Sequence, residues 1–111
     1  MPARVPLVPE ELGLTGFPPR GLLLQFSSPG SLPSRISLNR LAAAVAACPD
    51  EALVIELSIT GSHRMAERLG VRQTPTVLYV DDGGEVLLRW TRPPAQEELE
   101  SALAAPLAVV R

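Results

Sequence analysis

The chain contains almost none of the residues that bind metals or perform redox chemistry. Its 111 residues include one cysteine, Cys48, and one histidine, His63. A single cysteine excludes an intramolecular disulfide, a Cys-x-x-Cys pair and a cysteine-rich metal site within one chain. A zinc site built from the histidine and cysteine of one chain is disfavoured for the same reason. We therefore expect neither a bound metal nor another cofactor.

Excess charge and long apolar runs are also lacking. The net charge is −2, and all ten basic residues are arginine, with no basic cluster of the kind that indicates nucleic-acid binding. No stretch approaches the ~18 consecutive apolar residues of a membrane span. The first eleven residues are interrupted by prolines and lack the apolar core of a signal peptide. We expect a soluble, cytoplasmic protein, although an anchor or signal preceding the given sequence would leave this pattern unchanged.

The composition that remains is that of one ordinary globular domain. Hydrophobic residues make up 46% of the chain and charged residues 20%, which is typical of a folded protein and not of disorder. A chain of this length suits one compact domain. The sequence predicts an irregular, proline-rich N-terminal arm over residues 1–20 and a single domain over residues 21–111.

Alternating apolar runs and helical patterns predict an α/β fold. We expect four strands, at residues 22–26, 53–59, 76–80 and 85–90. Helices are expected at residues 33–47, at residues 63–69 and after Pro94, and the first should bury Leu38, Leu41, Ala42 and Val45. Two βα units followed by a hairpin and a helix predict a mixed sheet of about four strands, covered by helices on both faces.

Two motifs lie at the joints of this pattern. Ser31-Leu32-Pro33-Ser34 follows the first strand, and Thr74-Pro75-Thr76 opens the third. The first motif resembles the Cys-Gly-Pro-Cys of the thioredoxin family in its spacing and its proline. Residues 70–76 resemble that family's Gly-Val-x-x-x-Pro-Thr segment, and Gly83-Gly84 resembles its hairpin turn. The resemblance extends over about residues 21–104 and implies a thioredoxin-like fold related to thiol–disulfide oxidoreductases.

The resemblance also implies roles for individual residues. Ser31 occupies the position of the attacking cysteine and Ser34 that of the resolving cysteine, so these are the candidate catalytic positions. The implied substrate-binding residues are Leu32, Pro33, Thr74 and Pro75, with a cis peptide bond before Pro75. The implied partners are a protein or peptide in the groove between Ser31 and Pro75, and a reductase. Gln25 stands where thioredoxins often bury an aspartate.

Serine at both motif positions removes the chemistry that the scaffold implies. A thiolate at a helix N-terminus attacks disulfides, whereas a serine hydroxyl does not ionise near neutral pH and forms no disulfide. We expect the chain to be redox-inactive. Two histories fit: an active Cys-Leu-Pro-Cys parent altered to serine at both positions, or a naturally redox-dead module that binds a peptide or protein through the same groove. Whether the chain is an enzyme therefore stays open.

The remaining candidates are interpreted as structural. Cys48, at the end of a helix, is expected to be a small packing residue, with an intermolecular disulfide as its alternative. His63 is expected to be solvated in the first turn of its helix, and Trp90 to be an aromatic residue at the edge of the core.

Overall fold

The structure is a computed structural model that describes residues 6–104. It has a 3₁₀ turn, three helices and four strands: Pro9–Leu12 (3₁₀), Leu22–Ser27 (β1), Leu32–Ala46 (α1), Leu53–Ser58 (β2), His63–Arg68 (α2), Thr76–Val80 (β3), Val86–Trp90 (β4) and Gln96–Ala104 (α3). The parts of the predicted arm and domain at residues 1–5 and 105–111 lie outside the described residues. Within residues 6–104, no helix combines the length and the hydropathy needed to cross a bilayer.

The strands form one mixed sheet in the order β2-β1-β3-β4. β1 is parallel to β2 and antiparallel to β3, and β4 is antiparallel to β3. All six residues of β1 are buried, because this strand has a neighbour on each side and elements packed on both faces. The predicted order of elements and the mixed four-stranded sheet are confirmed.

Each face of the sheet has its own hydrophobic core. One core packs α1 and α3 against the sheet and includes Leu23, Leu41, Val77 and Leu99. The other includes Leu24, Phe26, Ala66 of α2 and Leu78. The strands supply both cores because successive side chains point to opposite faces of the sheet. Helices therefore cover both faces, as expected.

The buried face of α1 differs from the predicted one. Its buried residues are Ser34, Ser37, Leu41 and Ala44, whereas Ala42 is exposed. The observed buried face is offset from the predicted face by about one position along the helix, and Leu41 belongs to both. The prediction was based on apolar residues alone, so it did not include the buried serines. Leu38 and Val45 are half-buried and pack against the edge of the core.

Leu7, near the start of the described residues, packs against the hairpin between β3 and β4. Leu7 is 2% exposed and belongs to the second core. Its backbone N–H donates to the carbonyl of Gly84 at 2.9 Å. Gly84 has φ +87°, and a Cβ there would lie 2.1 Å from the Leu7 carbonyl oxygen. Glycine is therefore required at this position for both conformation and close approach.

Candidate functional site

The Ser31-Leu32-Pro33-Ser34 motif starts α1 directly after β1. Ser31 is the N-cap, and its Oγ accepts a hydrogen bond from the backbone N–H of Ser34 at 3.2 Å. Pro33 lies in the first turn, where its missing N–H leaves no helical hydrogen bond unmade. Ser31 thus satisfies one of the free N–H groups of the helix end, which is the ordinary role of serine at an N-cap.

The Thr74-Pro75 segment lies beside this motif. Phe26 of β1 pairs with Thr76 of β3, which brings the loop after β1 and the loop before β3 to the same edge of the sheet. Ser28 Oγ and Thr74 Oγ1 are 2.6 Å apart and share a hydrogen bond. The peptide bond between Thr74 and Pro75 is cis. The loop that precedes the first motif therefore contacts the second motif directly, through the Ser28 and Thr74 side chains.

The motif residues differ sharply in exposure. Leu32 is 65% exposed, and Pro33 is also exposed. Ser31 and Thr74 are half-buried, whereas Pro75 is buried. Ile36, one helical turn after Leu32, is 39% exposed, so an apolar side-chain pair faces solvent on the first two turns of α1.

Ser34 belongs to a buried polar layer beneath the motif. Ser34 is 2% exposed, and both Ser37 and Gln25 are fully buried. The Gln25 side-chain amide donates from Nε2 to Ser27 Oγ at 2.9 Å and to the Ser34 carbonyl at 2.8 Å. Within the described part of the chain, Gln25 Oε1, Ser34 Oγ and Ser37 Oγ are buried without a hydrogen-bond partner. Both serine hydroxyls are therefore buried away from solvent, and Gln25 is joined to Ser34 through the Ser34 backbone carbonyl.

Ser28 and Ser37 are not among the site residues that the sequence predicts. Ser28 lies in a loop rich in serine, and only the register of β1 and β3 reveals its contact with Thr74. Ser37 lies three residues after Ser34 and shares its helix face. The spacing of the two serines is a signal for this shared face, but it is visible only if serine is counted among the residues that a helix can bury.

Cys48 and His63 take no part in this arrangement. Cys48 follows the opposite end of α1, 17 positions after Ser31, which corresponds to about 25 Å at helical rise. It is half-buried and packs against the core. It borders a cleft of about 550 Å³ together with Arg20, Glu51 and Leu103. His63 begins α2 and is exposed. In the stretch from residue 6 to residue 104, no cluster of three His, Cys, Asp or Glu side chains is placed to hold a metal ion.

The loop after β4 borders the same edge of the sheet and is held by an ion pair. Arg92 contacts Glu98 through Nη1 at 2.9 Å and Nη2 at 3.0 Å. Glu98 also accepts the Ala95 backbone N–H at 2.9 Å. The Arg92 guanidinium, followed by that N–H, lowers the pKa of Glu98 to about 2. Gln73, just before Thr74, donates to the Thr91 carbonyl at 3.1 Å and joins this loop to the motif surface.

The comparison with known proteins supports the fold through similarity of structure and not through similarity of sequence. No protein-family model and no curated protein sequence matches the chain. Among solved structures, a mutant thioredoxin from Halobacterium salinarum is 19% identical and superposes with a TM-score of 0.67, over 81% of this chain and 77% of that one. A Fasciola hepatica thioredoxin is 16% identical, with a TM-score of 0.64 over 78% and 80% of the two chains.

A malaria-parasite thioredoxin-2, described as a component of the parasite's protein secretion machinery, covers more of the chain. It is 9% identical and superposes with a TM-score of 0.70, over 91% of this chain and 94% of that one. Identities this low carry information on architecture only. These superpositions indicate the same architecture as the strand order and the packing of helices on both faces. The chain has a thioredoxin-like fold.

Proposed function

We propose that this protein is a redox-inactive thioredoxin-fold module that binds an extended segment of a partner protein. The binding surface would consist of Leu32, Pro33, Thr74 and Pro75. One observation carries the proposal: a serine hydroxyl caps α1 where the resemblance implies a cysteine sulfur, next to a leucine that is 65% exposed. This arrangement offers contact area to a partner and no reactive thiol.

The chemistry of the hydroxyl supports redox inactivity. Ser31 Oγ accepts a hydrogen bond from the Ser34 N–H, and an alcohol at this position remains protonated near neutral pH. Ser34 Oγ is buried, and neither oxygen can form a mixed disulfide. Serine can act as a nucleophile only with a base within ~3 Å. The Ser31 hydroxyl instead serves the N-cap of α1.

The exposed apolar side chains support partner binding. Leu32 and Ile36 lie on the first two turns of α1, which starts at the edge of the sheet that also carries the Thr74-Pro75 loop. Burying one such leucine against a partner is worth roughly 1.5–3 kcal/mol. Extended peptides commonly bind to proteins through backbone contacts and side-chain pockets of this kind.

Peptide binding with matched leucine variants tests the proposal. The probe is reduced, carboxymethylated insulin B chain, which is extended and has no free thiol, and binding is followed by fluorescence polarisation and by amide chemical shifts. We expect shifts centred on residues 28–36 and 72–76, and a loss of affinity of roughly tenfold for Leu32→Ala. Leu87→Ala, at a leucine that is 53% exposed on β4, is the control and should bind normally. Equal loss in both variants, or no binding at all, would refute the proposal.

A second candidate is a thiol–disulfide oxidoreductase whose cysteines have been replaced. The spacing of Ser31 and Ser34 at the start of α1, with the Thr74-Pro75 loop at the same edge of the sheet, favours it. The test is the double substitution Ser31→Cys and Ser34→Cys, assayed by insulin reduction with dithiothreitol; Ser31→Cys alone, which lacks a resolving thiol, is the control. Turnover by the double variant supports an active parent, and none with any reductant eliminates it. Serine codons at both positions in the gene would favour the naturally redox-dead alternative.

A further inference from the structure

The fold separates charge between the two edges of the sheet. At the edge where β1, β2 and β4 end, the loops at residues 28–31, 59–62, 70–75 and 91–95 contain two charged side chains, both arginine. These are Arg72 and Arg92. The first turns of α1 and α2 add Arg35 and Arg64. The edge that carries the motif is therefore predominantly basic, although the whole chain has a net charge of −2.

The opposite edge is predominantly acidic. The turn between α1 and β2 and the hairpin between β3 and β4 supply its acidic residues: Asp50, Glu51, Asp81, Asp82 and Glu85. Arg20, which lies at that edge just before β1, pairs with Glu51 at 2.5 Å. An acidic ligand is thus repelled by one edge of the molecule and attracted by the other.

The arginines next to the motif are free to pair with a ligand. Arg35 lies three residues after Leu32 and one before Ile36, so it shares the helix face of the exposed apolar pair. Arg72 lies two residues before Thr74. Both are exposed, and in the chain between residues 6 and 104 neither forms an ion pair with a carboxylate.

The nearby acidic residues leave this charge in place. Glu97 and Glu98 lie in the first turn of α3. Glu98 forms an ion pair with Arg92, so the charges of these two side chains cancel. Glu97 is exposed and forms no ion pair within residues 6–104, so Arg35 and Arg72 outnumber it and the charge beside the apolar patch is positive.

We propose that the surface around Leu32 and Thr74 selects extended segments in which acidic residues flank an apolar residue. The apolar residue would pack on Leu32 and Ile36, and the flanking carboxylates would pair with Arg35 and Arg72. This inference rests on the peptide-binding function proposed above and specifies its ligand. Arginine suits the role because its planar guanidinium binds a carboxylate through two hydrogen bonds.

Three labelled peptides test the selectivity. They share a central Val-Leu-Val and differ in flanks of aspartate and glutamate, of asparagine and glutamine, or of lysine. We expect the acidic peptide to bind the intact protein most tightly and the lysine peptide least. Because surface charges are screened by salt, the difference between the acidic and the neutral peptide should shrink as sodium chloride is added.

Matched arginine variants locate the effect. Arg35→Gln and Arg72→Gln should each weaken the acidic peptide roughly two- to fivefold and leave the neutral peptide unchanged. Arg64→Gln removes the same charge from α2, outside the segments that border Leu32 and Thr74, and should have a smaller effect.

The outcomes separate this inference from the proposed function. Equal binding of the acidic and neutral peptides overturns the charge selectivity and leaves peptide binding intact, whereas binding of no peptide overturns both. If all three arginine variants lost the same affinity for the acidic peptide, the selectivity would depend on net charge alone. That result would overturn the role of Arg35 and Arg72. Self-association that increases with protein concentration and is abolished by Arg35→Gln would show that the acidic edge of a second copy occupies this surface. That result would also overturn the proposal.

Discussion

At the scale of single residues, the two motif serines have different surroundings. Ser31 is half-buried and caps α1, whereas Ser34 is buried and its hydroxyl has no hydrogen-bond partner in the described chain. Sequence spacing predicts that both residues stand at the start of the helix. It does not predict their different burial, which depends on how α1 is rotated against β1.

The N-cap of α1 gives the first prediction. Ser31→Ala removes the acceptor for the Ser34 N–H and should lower the free energy of unfolding by about 1 kcal/mol. Urea denaturation measures the change. Ser62→Ala is the control, because Ser62 is the N-cap of α2 without a side-chain cap hydrogen bond, and it should change stability little. A larger effect at Ser62 than at Ser31 would contradict the assignment of the cap.

The buried polar layer gives the second prediction. Ser37→Ala removes a buried hydroxyl that has no partner in the described chain and should raise the free energy of unfolding by about 1 kcal/mol, since an unsatisfied buried group is destabilising. Ser27→Ala removes the acceptor of the Gln25 amide and should lower it by about 1 kcal/mol. Both are measured by denaturant titration. If Ser37→Ala destabilises as much as Ser27→Ala, the Ser37 hydroxyl has a hydrogen-bond partner such as an internal water.

At the scale of elements, polar side chains attach the helices to the loops around the motif. Arg89 of β4 donates to the Leu69 carbonyl at the end of α2, and Arg40 of α1 donates to the Pro94 carbonyl at 3.0 Å. The helical and strand periods of the sequence predict the elements themselves. These contacts join residues 20 or more positions apart, so no local pattern could have indicated them.

The ion pair at the start of α3 gives a prediction of pH dependence. The pKa of Glu98 is lowered to about 2 by Arg92, so the stabilisation is complete above the ordinary value of 4.5 and is lost as the pH falls towards the folded-state value. Glu98→Gln should flatten the dependence of unfolding free energy on pH between these two values.

The measurement is urea denaturation at a series of pH values across that window. Glu97→Gln, at the neighbouring position, is the control and should keep the wild-type slope. Added salt should reduce the difference between the wild type and Glu98→Gln, because the pair lies at the surface. An unchanged slope in Glu98→Gln would show that Arg92 does not control this carboxylate.

At the scale of the whole molecule, the segment before β1 is part of the fold. Leu7 is 2% exposed, and Leu12, Leu14 and Phe17 pack against the same core. The proline-rich composition predicts an irregular arm over residues 1–20. It did not indicate that the segment covers one face of the sheet, because its apolar residues have no helical or strand period.

The packing of this segment gives the fourth prediction. Leu7→Ala should lower the free energy of unfolding by about 2 to 5 kcal/mol, as expected for deleting a buried leucine side chain. Val8→Ala, at a side chain that is 47% exposed, should change it by less than about 0.5 kcal/mol. Thermal and urea unfolding report both values. Equal small effects would show that the segment does not contribute to the core in solution.

The sequence by itself determined the order of strands and helices and the positions of the two motifs. These follow from periodicity, from prolines and glycines at the ends of elements, and from the spacing of residues 31–34 and 74–76, all of which are local properties. Only the tertiary structure decided that α1 buries Ser34 and Ser37, that Ser28 meets Thr74, and that arginines dispersed along the chain gather beside the motif. Those facts depend on strand register and helix rotation, which bring together side chains that are distant in sequence.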